Sequence, residues 1–281
     1  MRARSAGGLV GTAARPNWVR EELRAGGATL GCSLGLGSST VAELLACAGF
    51  DWISIDTDHY AVDIGDVQAM LMASAATASI PLVRVPANDL NAIERALDIG
   101  AMGVVVPMIT SAEEARGVVR ATRYPPDGTR SFGPMRATRY YLDAEDYVAR
   151  STENAIVWLI LETRGAVAEL EEIAQTPGID GVIIGPCDLS LALGLDPLRD
   201  NREVEEIAER ALAVGRRTGL AIGINVASPE DLLRRREQGF TILDYGPDYR
   251  LLLESVRPAL EALTVGPGVS RPTPPEPASA S

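Results

Sequence analysis

The only histidine in the chain, His59, follows directly after Asp58 and stands three residues past Asp56, at the end of the segment FDWISIDTDH at 50–59. Imidazole ordinarily titrates near neutrality, and neighbouring carboxylates can orient it for proton transfer. The preceding apolar run Trp52-Ile53-Ser54-Ile55 reads as a strand, which places the three ionisable groups at a strand end, where loops of α/β proteins carry chemistry. A catalytic group, a triad member and a satisfied core histidine all fit this much.

Other charges end apolar runs in the same way. Arg84 sits in Pro81-Leu82-Val83-Arg84-Val85-Pro86, and a guanidinium in so apolar a run must reach a polar site or pair with an acid. Glu162 follows the run at 156–161, and Asp188 follows Val182-Ile183-Ile184-Gly185-Pro186-Cys187. If these runs are neighbouring strands, about 4.8 Å apart, the two carboxylates can reach one ion. So few oxygen ligands leave positions for water and substrate, which suits Mg²⁺ or Mn²⁺. Zinc is disfavoured, because one histidine and scattered cysteines give no tetrahedral N/S set. The alternative is that Asp188 caps a helix and Glu162 is an exposed strand-end charge.

Composition removes other chemistries. All 26 basic residues are arginine, so no lysine can form a Schiff base and no Walker-type phosphate loop exists. The net charge of −12 argues against a nucleic-acid partner. Three widely spaced cysteines, Cys32, Cys47 and Cys187, suggest reduced thiols in a cytoplasmic protein. No apolar run is long enough to span a membrane, and the Gly-rich segment closed by Arg15 is a poor signal peptide. Gly35-Leu36-Gly37-Ser38-Ser39-Thr40 only partly matches a dinucleotide fingerprint, since the third glycine is missing; a dinucleotide-binding oxidoreductase is the alternative from another class. No G-x-S-x-G motif marks a serine hydrolase.

The elements that must position these groups form a repeating pattern. Apolar runs at 29–34, 52–55, 82–85, 103–106, 156–161, 181–184, 221–224 and 241–244 predict eight strands. Helical periodicity falls between them at 41–48, 62–75, 90–98, 112–122, 166–175, 204–218 and 229–238, and a short helix near 18–25 precedes them. Fully apolar strands alternating with amphipathic helices predict a parallel sheet, and eight such units predict an α/β protein of the (β/α)8 TIM-barrel type. We therefore expect a leader at 1–16, one catalytic barrel at 17–264 and a disordered Pro/Ser-rich tail at 265–281. The Pro-, Gly- and Arg-rich stretch 124–147 is long for a connection and is a candidate functional loop.

FDWISIDTDH, PLVRVP, ALDIGAMGVVVPM, ATRYPPDGTRSFG, LILET and GIDGVIIGPCDLSLALG, in this order and spacing, resemble the 4-hydroxy-2-oxoheptanedioate (2,4-dihydroxyhept-2-ene-1,7-dioate) aldolase family. These are metal-dependent class II pyruvate aldolases, and the likeness runs from about Gly31 to about Gly246. It implies a barrel of the phosphoenolpyruvate/pyruvate-binding type, a homo-oligomer (trimer or hexamer), and a bound Mg²⁺ or Mn²⁺, with Co²⁺ also admissible and no organic cofactor. Carried over by motif, Glu162 and Asp188 hold the metal, and Gly185, Pro186, Cys187 and Asp188 receive the substrate carboxylate. Arg84 meets the keto oxygen, while His59 moves protons within a network that includes Asp56 and Asp98. The implied substrates are 4-hydroxy-2-oxo acids, made or split through a pyruvate enolate and an aldehyde; oxaloacetate-type decarboxylation is the alternative on the same site.

The likeness has departures. Asp58 stands where the family commonly has glutamate, and Ser33 stands near where many members place an aromatic residue against the substrate. The loop at 131–137 also differs, and its Arg136 is a candidate contact for the distal end of the acceptor.

Overall fold

The computed structural model describes residues 15–264, with side chains described to residue 262. Apart from Arg15 and Pro16, the leader and the tail expected from the sequence lie outside the described residues. Arg15 donates to the carbonyl oxygens of Thr77 and Ser79.

Eight parallel strands close in sequence order: β1 (Thr29–Leu34), β2 (Trp52–Asp56), β3 (Ile80–Arg84), β4 (Gly103–Val106), β5 (Ile156–Leu161), β6 (Gly181–Ile184), β7 (Ala221–Asn225) and β8 (Ile242–Asp244). β8 pairs back onto β1, and the (β/α)8 architecture is as expected. The strand boundaries shift in an informative way: β2 extends to Asp56, β7 to Asn225, and β3 runs two residues earlier than its apolar run suggests.

The helices are α1 (Trp18–Arg24), α2 (Ser39–Ala48), α3 (Ile64–Ser74), α4 (Leu90–Asp98), α5 (Ala112–Thr122), α6 (Ala144–Asn154), α7 (Arg164–Ala168), α8 (Leu170–Ala174), α9 (Pro186–Leu193), α10 (Arg202–Thr218), α11 (Pro229–Gln238) and α12 (Asp248–Thr264). Ser38, Asp63, Asp89, Ser111, Thr163 and Ser228 end their connections by accepting first-turn amides, which sets where the helices begin. Three helices differ from the expected set: α6, which begins at the end of the stretch 124–147 and runs on to Asn154, the eight-residue α9, and α12 after the last strand.

Side chains on a strand alternate between faces, so each strand sends every second residue into the barrel. Trp52, Ser54 and Asp56 point inward on β2, as do Ile156, Trp158, Ile160 and then Glu162 along β5. Their neighbours Ile53, Ile55, Val157, Leu159 and Leu161 belong to the separate outer core beneath the helices. The lower interior is apolar: Trp52 and Trp158 meet edge to face with centroids 5.1 Å apart, and Val19 and Leu23 of α1 close the bottom. The upper interior carries the polar ends.

Gly31 makes room for this plug. A Cβ there would stand 1.9 Å from the Trp52 ring, with no flexible chain end to yield. Gly31→Ala should destabilise the protein by about 1–3 kcal/mol through overpacking. Urea unfolding measures it, and an unchanged midpoint would contradict the inward stacking of Trp52.

Candidate active site

The barrel mouth at the C-terminal ends of the strands holds a cavity of about 330 Å³. Its walls include His59, Arg84, Asp56, Glu162, Asp188, Gly185, Pro186, Cys187 and Ser33, so the structure brings together nine of the residues singled out from the sequence.

Arg84 stands at the centre of the charged half. Its Nη2 lies 2.7 Å from Asp58 Oδ2, 3.1 Å from His59 Nε2 and 3.9 Å from Glu162 Oε2, while Nη1 reaches Asp56 Oδ2 at 3.4 Å. A guanidinium can only donate, so His59 Nε2 accepts from it and the ring proton sits on Nδ1. His59 Nε2 also lies 3.8 Å from Asp188 Oδ2, at the wall of the mouth. Asp56 acts on His59 through the main chain: its Oδ1 accepts the amides of Asp58 at 2.8 Å and His59 at 3.3 Å, which fixes the turn.

Glu162 is buried, and its Oε1 accepts the Met108 amide at 2.6 Å. Met108 adopts φ 56°, a left-handed conformation uncommon for a side chain of its size, and no sequence signal marks it. Burial raises the Glu162 carboxyl above its ordinary range; the Met108 amide and Arg84 oppose this, and the charges of Asp188 and Asp58 add to it. Gly185 leaves the space that Glu162 uses, since a Cβ there would lie 3.0 Å from Oε2.

Asp188 occupies the third position of α9 and does not cap it. The N-cap is Gly185, which has no side chain to accept from the amides of Cys187 and Asp188. Those amides remain at a helix N-terminus in the mouth, where an anion is favoured.

The mouth suits a hard divalent cation. Its lining sets the four acids Asp56, Glu162, Asp188 and Asp244 against the two arginines Arg84 and Arg250, an acidic excess of two, and the open donors of Glu162 and Asp188 are oxygens. Among the described residues no group of three His, Cys, Asp or Glu side chains forms a metal cage. Glu162 and Asp188 would therefore hold an ion as a pair and leave its other positions to water and substrate.

The remaining half of the mouth, on β7, β8 and β1, was missed from the sequence apart from Ser33. Asp244, fully buried at the end of β8, accepts from the Ser33 amide at 3.0 Å, the Gly246 amide at 2.9 Å, Asn225 Nδ2 at 3.0 Å and the Ser33 hydroxyl. Burial pushes its carboxyl upward despite these donors. Asn225 and Asp244 end apolar strands just as Asp56 does, so the same signal could have found them.

Two expected site residues and one loop lie elsewhere within the chain. α4 runs back from the mouth, so Asp98 at its end belongs to the opposite side of the barrel, where its carboxylate pairs with Arg130 at 2.6 Å and not with His59. Arg136 donates to the Ile99 carbonyl at 2.6 Å, satisfying the end of α4, and does not line the mouth. The stretch 124–147 is held to α4 by Arg130, which packs over the Tyr124 ring at 4.7 Å, and by Ser131, whose amide and hydroxyl meet Glu94 at 2.9 and 2.7 Å. The turn after β1 is no dinucleotide cradle: the amides of Gly35 and Leu36 already donate to Asp248 at 3.0 and 3.3 Å, where a phosphate would have to sit.

A closed parallel barrel with oxygen donors, an arginine and a histidine at its mouth defines a class of small-molecule enzyme whose chemistry runs at strand ends. The chain belongs to the HpcH/HpaI aldolase/citrate lyase family, whose model matches residues 30–255, and is accordingly a carbon–carbon lyase of the aldolase type. It is 39% identical over 260 residues to 4-hydroxy-2-oxo-heptane-1,7-dioate aldolase of Escherichia coli, covering 90% of this chain and 99% of that one. It is 37% identical over 245 residues to the hydroxypyruvate/pyruvate aldolase of Roseovarius nubinhibens, covering 87% and 95%. A crystal structure of a family protein from Burkholderia cenocepacia superposes with a TM-score of 0.83 at 35% identity, covering 88% and 99%.

The raised Glu162 carboxyl has a measurable sign. In metal-free protein its contribution is full below its ordinary value of 4.5 and is lost as pH rises through the higher folded value. Glu162→Gln lacks this loss, so in chelator the variant should gain in melting temperature relative to the parent as pH rises above 4.5. Added Mn²⁺ should raise the melting temperature of the parent alone. Parallel pH curves, or an equal Mn²⁺ shift in both proteins, would remove Glu162 from this role.

Proposed function

We propose that the chain is a Mg²⁺- or Mn²⁺-dependent aldolase that cleaves or forms 4-hydroxy-2-oxo acids through a pyruvate enolate and an aldehyde. The observation that carries this is the paired open carboxylates Glu162 and Asp188 facing Arg84 and His59 in a chain without lysine. A divalent ion held by that pair supplies Lewis acidity toward a 2-oxo acid. The amides of Cys187 and Asp188 receive the substrate carboxylate at the start of α9. Arg84 places positive charge where the oxyanion develops. In cleavage, His59 Nε2 takes the C4 hydroxyl proton, directly or through water, as Arg84 Nη2 turns from it toward the developing oxyanion; the C3–C4 bond breaks, the aldehyde leaves, and the three-carbon enolate is protonated to pyruvate. Condensation reverses each step.

A cytoplasmic setting is supported by three unpaired cysteines, and among the described residues no helix is long and apolar enough to cross a membrane. A homo-oligomer is supported by α12, where every residue from 252 to 262 is exposed, including Leu252, Leu253, Val256 and Leu260. An apolar helix face of that length needs a covering surface.

Pyruvate release from 4-hydroxy-2-oxo acids should vanish with chelator and return with Mn²⁺ or Mg²⁺; activity that survives metal removal would overturn the mechanism. Faster decarboxylation of oxaloacetate on the same preparation would instead make that reaction the principal one. His59→Ala should lower kcat by about 10²–10⁴-fold, and an unchanged kcat would remove His59 from proton transfer. Light scattering should give a multiple of the chain mass, reduced in the double variant Leu253→Glu/Val256→Glu. A monomeric parent contradicts the assembly.

A further inference from the structure

The wall formed by β7, β8 and β1 differs in kind from the rest of the mouth. Asp244 Oδ1 takes the amides of Ser33 and Gly246, while Oδ2 takes the Ser33 hydroxyl and Asn225 Nδ2. A carboxylate accepts about four hydrogen bonds, so Asp244 has no acceptor position left for a ligand. Its effect is to orient its two partners. Ser33 Oγ has spent its hydrogen on Asp244 and can only accept from the cavity. Asn225 has spent one N–H and keeps a second N–H and its carbonyl oxygen. Both converge on a single oxygen, so an acceptor and a donor stand side by side in the mouth, across the barrel from Arg84 and Glu162.

We infer that this wall is the specificity-determining subsite for an acceptor aldehyde that carries a hydroxyl beside its carbonyl. The inference rests on the aldolase reading above and names the substrate class of the same site. A hydroxyl both donates and accepts, so it meets Ser33 Oγ and the Asn225 amide together. A methyl group satisfies neither, and leaving built polar groups unpaired is costly. A carboxylate turns acceptor against acceptor at Ser33 and stands beside the Asp244 charge. Arg250 also lines the mouth; it donates to the Val226 carbonyl at 2.8 Å and lies 3.7 Å from Glu254, and it would favour an anionic acceptor if it governed the subsite. Asp244 is a positioning residue here, acting only through Ser33 and Asn225.

Three substrates separate the possibilities in the cleavage direction: 4,5-dihydroxy-2-oxopentanoate, its methyl counterpart 4-hydroxy-2-oxohexanoate, and 4-hydroxy-2-oxoglutarate. The dihydroxy compound should exceed the methyl compound in kcat/KM by about tenfold or more. Ser33→Ala and Asn225→Leu should each bring that ratio down severalfold, whereas a fold defect would lower both rates together and leave the ratio intact. A ratio near one in the parent, or a ratio unmoved in both variants, overturns the inference. So does a preference for 4-hydroxy-2-oxoglutarate that is lost in Arg250→Gln. If none of the three is cleaved, the aldolase reading falls by itself; calorimetric affinities for the same compounds, in parent and variants, then decide the preference of the wall separately.

Discussion

One guanidinium has to reconcile the acids that converge on the barrel mouth. Arg84 is the cation shared by Asp56, Asp58 and Glu162, and it also holds the imidazole of His59. Its charge opposes the burial that raises the Glu162 carboxyl. Its Nη2 also meets His59 Nε2 at 3.1 Å, which fixes where the imidazole stands in the mouth. The imidazole and the acids of the site are thus coupled through one side chain, whose Nε is buried and has no hydrogen-bond partner. Removing Arg84 would disturb every other group at once, whereas removing Asp58 leaves the guanidinium other anchors.

The barrel could be read from the chain because two periods repeat cleanly: apolar runs of strand length, and amphipathic stretches between them. The charged half of the site followed from the same reading, because Asp56, Arg84 and Glu162 each interrupt or end a run that is otherwise wholly apolar. The polar half obeys the same rule. Asn225 and Asp244 continue the inward-facing series of β7 and β8, yet a strand ending in asparagine or aspartate also looks like an ordinary turn. What separates the two cases is parity within the pleat, and parity is visible only when the strand boundary is known to one residue.

Other features were hidden for different reasons. The Met108 amide serves Glu162 through a left-handed backbone that no residue type announces. The short helix α9 was concealed because Gly185 and Pro186 read as a turn; they are in fact an N-cap and a first helical residue, the arrangement that leaves the next two amides open. Asp98 and Arg136 carry chemistry-bearing side chains, but the direction of α4 decides where they go. An acid at the end of a helix lies at the far side of a barrel from an acid at the end of a strand, and charge type alone cannot tell them apart.

Asp244 and Glu162 show how structure separates an acid with every lone pair committed from one with an oxygen left open. Both are buried, both have carboxyls raised by desolvation, and both end inward-facing series. Asp244 is surrounded by four donors, so its lone pairs are committed and its charge serves to fix Ser33 and Asn225. Glu162 has one backbone donor on Oε1, while Oε2 lies 3.9 Å from the nearest Arg84 nitrogen, beyond hydrogen-bond reach. An oxygen left open in this way at the cavity wall is free to meet whatever binds there. Hydrogen-bond saturation, more than burial or a raised pKa, is therefore what distinguishes Asp244 from Glu162.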